Sequence, residues 1–284
     1  MDKTQSDYKI FFFDVGHGDA TLIQNIPTGR SVLIDANESI PVLDALGHAD
    51  QLDAIFVTHW DADHINGIPH IVSRMSGSRQ NRASVFINLQ TADTRIATRL
   101  KKTLREAQED GKIEIRPACI SRDLPDSTNQ IHGKFDILWP HYKDLISKSG
   151  NDRNFTSLVL RFQAGLFSIL LGGDADGEVW PQINHKKIEA DVLKYPHHGA
   201  QLKKKNQDRA WSAEDIVLNV KPDWVIVSVG ENNVYGHPSE EFIAARSKFS
   251  ETRFLSTENG TIEMRVISVT GKVKSEQNNE GMSF

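Results

Sequence analysis

The chain has 284 residues, 38% of them apolar, a formal net charge of −5 and one cysteine, Cys119. No run approaches the roughly 18 to 20 apolar residues that a membrane span needs, and an acidic chain is a poor non-specific coat for nucleic acid. One cysteine excludes an intramolecular disulfide and fits a reducing cytoplasm. Residues 1–7 lack the apolar core of a secretory leader, so a cytoplasmic protein with no membrane attachment is expected.

Short strands are predicted over residues 8–13, 20–24 and 31–34 around glycine-bearing turns, and a helix begins within 41–45. The apolar run 53–57 reads as a buried strand. It leads into Thr58-His59-Trp60-Asp61-Ala62-Asp63-His64. Four metal-competent side chains, His59, Asp61, Asp63 and His64, therefore sit on the loop at the strand's C-terminal end, where rigid scaffolds mount chemistry. Burying that much unpaired charge is very costly, and a metal resolves the cost. Residues 83–89 are the next strand candidate. Ile96, Leu100, Leu104 and Ala107, spaced 4, 4 and 3, mark one face of a helix over 93–110. Strands follow over 113–120 and 135–139, the second stopped by Pro140. Phe167–Leu171 is another buried-strand pattern and runs into Gly172-Gly173-Asp174-Ala175-Asp176. Two glycines there let the backbone turn tightly and bring a carboxylate close to a ligand. Residues 191–196 lead into His197-His198-Gly199. Beyond them Lys203, Lys204, Lys205 and Arg209 form a basic run that either holds a phosphate backbone or is a solvated loop. Helices are predicted over Ala213–Val220 and 239–249. No repeat or low-complexity linker is visible. The motifs scatter from the first fifth of the chain to the last and must meet in space, so one domain over 1–274 is expected, with a frayed polar tail over 275–284.

In this order, His59-x-Asp61-x-Asp63-His64, Gly173-Asp174 and His197-His198-Gly199 resemble the motifs of the metallo-β-lactamase fold, and most of all the hydrolase domain of ComEC-type competence proteins. That branch opens with Asp-Val-Gly-Gln-Gly-Asp; here Asp14-Val15-Gly16-His17-Gly18-Asp19 matches, with His17 in place of glutamine. Leu33-Ile34-Asp35-Ala36, Asn154-Phe155-Thr156-Ser157, Tyr235-Gly236-His237-Pro238 and Thr257-Glu258-Asn259-Gly260 also fit, so the resemblance spans roughly residues 9 to 267. It implies an α/β protein, a four-layer αββα sandwich with metals at one edge between the sheets.

The resemblance also implies a ligand set for two divalent ions, with Asp174 as the bridge. His59 and Asp61 would face the first ion; Asp63, His64 and one of His197 or His198 would face the second. Two such ions clamp the attacking and leaving oxygens of a phosphoryl displacement, and a bound water whose pKa falls to about 7 supplies hydroxide at neutral pH. Asp63 would orient that hydroxide. The wider superfamily has histidine where Asp61 stands and a further histidine near Asn154, a region that here offers Asp152, Asn154 and Ser157. The first site is therefore expected to be oxygen-rich and weak, shifting preference from zinc toward manganese or magnesium, with zinc retained as an option at the second. His237, ahead of Pro238 and a helix, is a candidate to reach a leaving group or phosphate. Asp14, His17 and Asp19 in the glycine turn either shape the turn or touch the site. Asp35 is expected to hydrogen-bond the ligand loop, and Asn154 and Ser157 to support ligands or substrate. His48, His70, His132, His141 and His185 have no supporting partners in sequence.

Three functions follow. The leading expectation is a metal-dependent hydrolase acting as a phosphodiesterase or nuclease, with nucleic acid or another phosphodiester as substrate. The second is hydrolysis of a small ester, lactone or cyclic nucleotide. The third is a non-catalytic or regulated partner subunit that keeps the fold, against which the complete set of ligand types argues.

Overall fold

Residues 6–77, 82–90, 92–120, 133–146, 152–202 and 210–277 are described by the computed structural model. The first half of the chain forms β1 (Tyr8–Phe12), β2 (Ala20–Asn25), β3 (Ser31–Ala36), α1 (Ile40–Leu46), β4 (Leu52–Val57), α2 (Ala62–Ile65), α3 (Ile68–Ser73), β5 (Ala83–Ile87), α4 (Arg95–Glu109) and β6 (Ile113–Pro117). The second half forms β7 (Lys134–Trp139), α5 (Tyr142–Leu145), β8 (Val159–Ala164), β9 (Phe167–Leu171), β10 (Val192–Lys194), α6 (Ala213–Val220), β11 (Trp224–Val227), α7 (Glu240–Arg246), β12 (Arg253–Ser256), β13 (Ile262–Ile267) and β14 (Lys272–Gln277).

These strands make two sheets, ordered β14-β13-β1-β2-β3-β4-β5-β6 and β12-β11-β10-β9-β8-β7. From β1 to β6 the successive pairings are antiparallel, antiparallel and then parallel three times. From β7 to β12 the same sequence of pairings recurs. The two halves therefore share a pairing plan, although no repeat is visible in their residues. Alternation along each strand sorts side chains into three apolar layers. In β4, Ala54 and Phe56 face the other sheet, while Ile55 and Val57 face helices. In β9, Phe167, Ile169 and Leu171 point inward and Leu170 points to the far helices. Helices α1, α3 and α4 cover one outer face through Val42, Leu46, Ile68, Ile71, Leu100 and Leu104. Helices α6 and α7 cover the other through Ile216, Val217, Val220, Phe242 and Ala245. This is the expected αββα sandwich. Stacked, tilted and edge-on aromatic pairs stitch the inner layer, from Phe86 to Phe56 (4.6 Å), to Phe135 (5.1 Å), to Phe162 (4.9 Å) and to Tyr8 (5.6 Å). Fully burying each such ring is worth roughly 1.5–3 kcal/mol.

Several boundaries differ from the sequence reading for local reasons. Helix α4 starts at Arg95 because the Thr94 side chain accepts from the Ala97 N–H as its N-cap, and its buried face adds Ala97 to the expected residues, with Ile96 packed partly buried against the core. Strand β6 stops at Pro117, three residues early. Strand β14 pairs with β13 through Gln277, so residues 275–277 of the expected frayed tail belong to a sheet; 278–284 lie outside the described residues. Among the described residues, no helix is long and apolar enough to cross a membrane.

Candidate metal centre

Three turns carrying the candidate ligands follow β4, β9 and β10, at the C-terminal ends of strands with parallel neighbours, where open α/β sheets place their sites. After β4 the chain does not remain a loop. Asp61 stands at the N-cap of the short helix α2, and Asp63 and His64 lie within its single turn. After β9, Gly173 adopts φ +50; a Cβ there would meet Ser157 Oγ at 2.5 Å and the Leu158 carbonyl oxygen at 2.6 Å. The absence of a side chain at Gly173 lets the backbone fold back there, the Asp174 N–H donating to Ser157 Oγ at 3.0 Å. After β10, His197 and His198 both take φ +52, a left-handed conformation that costs a non-glycine residue about 1–2 kcal/mol. Tertiary bonds hold them there: the His197 N–H donates to the Gly173 carbonyl (2.9 Å) and His198 Nδ1 to the Ser228 carbonyl (2.8 Å).

Asp174 is the centre of the cluster. Its Oδ1 lies 3.2 Å from His64 Nε2 and 3.8 Å from His198 Nε2, and its Oδ2 lies 3.5 Å from His59 Nε2 and 3.9 Å from His197 Nε2. The two oxygens thus face two imidazole pairs. Asp61 joins the first pair, with Oδ2 3.6 Å from His59 Nε2. Asp63 joins the second, with Oδ2 3.3 Å from His198 Nε2. His64 Nε2 and His198 Nε2 are 3.3 Å apart. On each of His64 and His198, Nδ1 is occupied by an oxygen, so that Nε2 is turned into the cluster. His64 Nδ1 bonds Asp35 Oδ2 at 2.7 Å, and Asp35 in turn accepts from the Thr58 N–H (2.8 Å) and hydroxyl (2.6 Å). His59 Nδ1 rests beside Thr58 Oγ1 (3.1 Å) and Ser157 Oγ (3.4 Å). Such oxygen partners fix ring orientation and raise the basicity of the other nitrogen.

Charge is concentrated and buried here. Burial opposes protonation of His64, but Asp174 and Asp35 outweigh it and lift its pKa well above the ordinary 6.5. His198 is raised in the same way, by Asp174 and Asp19 against burial. Burial likewise opposes ionisation of Asp174, yet His64, His198 and His59 hold its carboxyl well below the usual range. Asp63 is depressed against burial by its bond with His198 and by His64. At the rim the balance reverses: burial, aided by His198, pushes His17 down to about 4, and burial lowers His197 and His237 too.

A sequence profile of the family described as Anti-Pycsar protein Apyc1 matches residues 16–164, just over half of the chain. The chain belongs to this family. The match takes in the His17 turn, the His59 to His64 cluster and Ser157, while Asp174, His197 and His198 of this Apyc1-family chain lie C-terminal to it. Over 288 aligned residues the chain is 27% identical to ComE operon protein 3 of Bacillus subtilis (strain 168), covering 92% of this chain and 33% of that protein. It is 25% identical over 248 residues to Recombination protein 2 of Haemophilus influenzae (strain ATCC 51907 / DSM 11121 / KW20 / Rd), covering 81% and 25%. The chain therefore spans about a third or less of the length of these curated relatives. Among solved structures, the metallo-beta-lactamase fold protein YhfI from Bacillus subtilis superposes with a TM-score of 0.58 at 13% identity, covering 95% of this chain and 100% of that one. The architecture of the Apyc1-family chain is thus the metallo-β-lactamase sandwich.

Of the residues singled out in sequence, the fold brings His59, Asp61, Asp63, His64, Asp174, His197 and His198 together. The two adjacent histidines divide: His198 faces the second group and His197 the first, where Asn154 Nδ2 lies 3.4 Å from its Nε2. The first group is thus richer in nitrogen than expected, because the positive-φ turn swings His197 toward it. Asp35 bonds His64 Nδ1 and the Thr58 N–H and hydroxyl, and Ser157 Oγ lies beside His59 Nδ1. Asp19 lies beneath His64 and His198, while His17 and His237 form the rim. Asp14 is exposed, its Oδ1 accepts from the Gly16 N–H at 3.1 Å, and its N–H donates to Thr261 Oγ1 at 3.0 Å, so it shapes the turn. The basic run Lys203, Lys204, Lys205 and Arg209 lies outside the described residues, as does His132. His70 bonds the Ser39 hydroxyl at 2.7 Å, an ordinary packing role.

Sequence reasoning missed two cations. Arg153 Nε donates to Asp61 Oδ1 at 2.8 Å from the mouth of the first group. Lys194, buried between the sheets, donates to both oxygens of Asp19 at 2.7 and 2.8 Å. A lysine inside the otherwise apolar stretch Val192-Leu193-Lys194-Tyr195 was the available signal, since burial demands a partner. Arg153 carried no such signal.

Proposed function

We propose that this chain is a metal-dependent hydrolase whose two-ion centre cleaves phosphodiesters. The observation that carries this reading is Asp174, whose two oxygens face separate imidazole pairs, the arrangement a bridging carboxylate needs. The residues fit divalent ions. His59 Nε2 and Asp174 Oδ1 are buried without a hydrogen bond, and donor atoms of His59, His64 and Asp174 lie within 4.8 Å of one another. Mixed imidazole and carboxylate donors suit zinc or manganese, with magnesium less favoured as the nitrogen count rises. His59, Asp61, His197 and Asp174 would hold one ion; Asp63, His64, His198 and Asp174 the other.

Ions held there supply an acidified water and Lewis-acid polarisation of the substrate oxygen. The chain's own groups supply the rest. Asp63, ionised and partly open to solvent, accepts a hydrogen bond from the attacking water and orients it. His237, kept neutral by burial and by His197, donates an N–H to a substrate oxygen but has no spare proton to give. Arg153, one-third exposed beside Asp61, offers its guanidinium to a phosphate oxygen. The intact donor set disfavours a purely structural subunit.

Both nucleic acid and a small phosphodiester such as a cyclic nucleotide suit this chemistry. Tyr235, 66% exposed and stacked on His17 at 4.6 Å, gives the rim an aromatic face of the kind on which bases stack, which keeps both substrates in view. The deciding assay compares single- and double-stranded DNA and RNA, cyclic nucleotides, a chromogenic phosphodiester and a carboxylic ester, in manganese, magnesium, zinc and chelator. Chelator-sensitive cleavage of a phosphodiester is expected; turnover of the carboxylic ester alone would replace this reading with the ester hydrolase.

A further inference from the structure

The turn carrying His17 is built to hold its ring in place. Asn37 Nδ2 donates to the carbonyls of Val15 (3.0 Å) and His17 (3.1 Å). Gly18, at φ +154, packs so tightly that a Cβ would meet the Asp63 carbonyl oxygen at 2.6 Å, and the neighbouring Asp19 N–H donates to that same oxygen at 3.0 Å. A Cβ at Gly230 would meet the His17 backbone nitrogen at 2.5 Å, so a second loop closes on the turn from outside. The turn is thereby locked to the backbone of α2, the helix that carries Asp63 and His64. The imidazole itself is held between two rings, 4.6 Å from Tyr235 and 4.6 Å from His198.

That fixed ring is chemically unfinished. Its Nδ1 is buried and has no hydrogen-bond partner, a condition that costs stability unless something fills it. A donor atom of His17 also falls within 4.8 Å of donor atoms of Asp63 and His198, making a group distinct from that of His59, His64 and Asp174. We propose that His17 is a further nitrogen ligand to the ion held by Asp63, His64 and His198. The second position then has three imidazoles, which favours zinc or manganese over magnesium. This rests on the two-ion reading above.

The test is metal binding, not turnover. Full-length wild type, His17→Gln and His17→Ala are stripped with chelator, checked for folding by circular dichroism, and titrated with zinc and cobalt(II). Wild type should bind with a visible cobalt(II) absorption band. Both variants should lose about 10- to 100-fold in affinity for one ion, the scale of losses seen when groups supporting a metal are removed, and shift that band, while keeping affinity for the other. Unchanged affinity and spectrum in folded variants would overturn the proposal, even if their KM for substrate rose, and would leave the two-ion reading standing. A folded wild type that binds neither ion would overturn both.

Discussion

Substituting Lys194 by methionine tests how the centre is supported from below. The lysine is 2% exposed, and its ammonium contacts both oxygens of Asp19, itself 5% exposed. Methionine keeps the apolar stem and removes only the charge. Asp19 would then be a buried carboxylate whose remaining positive neighbours are His198 Nδ1 at 3.6 Å and His64 Nδ1 at 3.9 Å, both beyond hydrogen-bond reach. Breaking a buried ion pair in this way costs about 3–5 kcal/mol. At roughly 2–4 °C per kcal/mol for a chain of this size, the melting temperature should fall by about 10 °C. The double variant Asp19→Asn with Lys194→Met should recover most of the loss, because the unmatched charge is what is costly. Urea and thermal unfolding in chelator measure both. A single variant within about 1 kcal/mol of wild type, or a double variant no more stable than the single, would refute the reasoning.

The remaining expectations concern the centre itself. Without metal, His64 and His198 have pKa values raised above 6.5, so their stabilisation is complete below pH 6.5 and disappears as pH rises through the higher folded values. The depressed Asp174 contributes above its ordinary 3.8 and is lost only in stronger acid. Chelated protein should therefore melt higher at pH 6 than at pH 9. Metal uptake at pH 7 should release protons, as calorimetry in buffers of different ionisation enthalpy would detect; equal melting temperatures and no proton release would contradict the charge assignment. Gly173→Ala combines a left-handed backbone with contacts of 2.5 and 2.6 Å, so it should cost about 2–5 kcal/mol and weaken metal binding by displacing Asp174. Arg153→Gln should change stability by less than about 1 kcal/mol, since the pair is partly exposed, but raise KM for a phosphodiester about tenfold and leave that for a neutral ester unchanged.

Most of the candidate cluster was legible in the sequence because each turn that carries it follows an apolar strand. An apolar run ending in imidazole or carboxylate is readable without knowing the partner strand. The division of labour between His197 and His198 was not readable. It depends on two successive positive-φ residues, a conformation that histidine does not advertise as glycine would, and on bonds to Gly173 and Ser228 that only the fold brings near. Asp14 shows another limit: its hydrogen bonds belong to the turn, a role that a matching motif alone does not separate from contact with the cluster. The Lys194–Asp19 pair joins residues 175 positions apart, so no local pattern could pair them. The same limit hid the shared pairing plan of the two halves, which resides in strand order and leaves no repeat of residue types.

Metal stoichiometry of wild type against Asp174→Ala tests the central claim most directly. Each purified protein is stripped, reloaded with manganese or zinc, dialysed and analysed for bound ion, with folding verified in parallel. Two ions per wild-type chain are expected, and the variant should lose most of both, because one carboxylate serves the two positions. A folded Asp174→Ala variant that holds both ions as tightly as wild type, or a metal-free wild type with undiminished hydrolysis, would contradict the account.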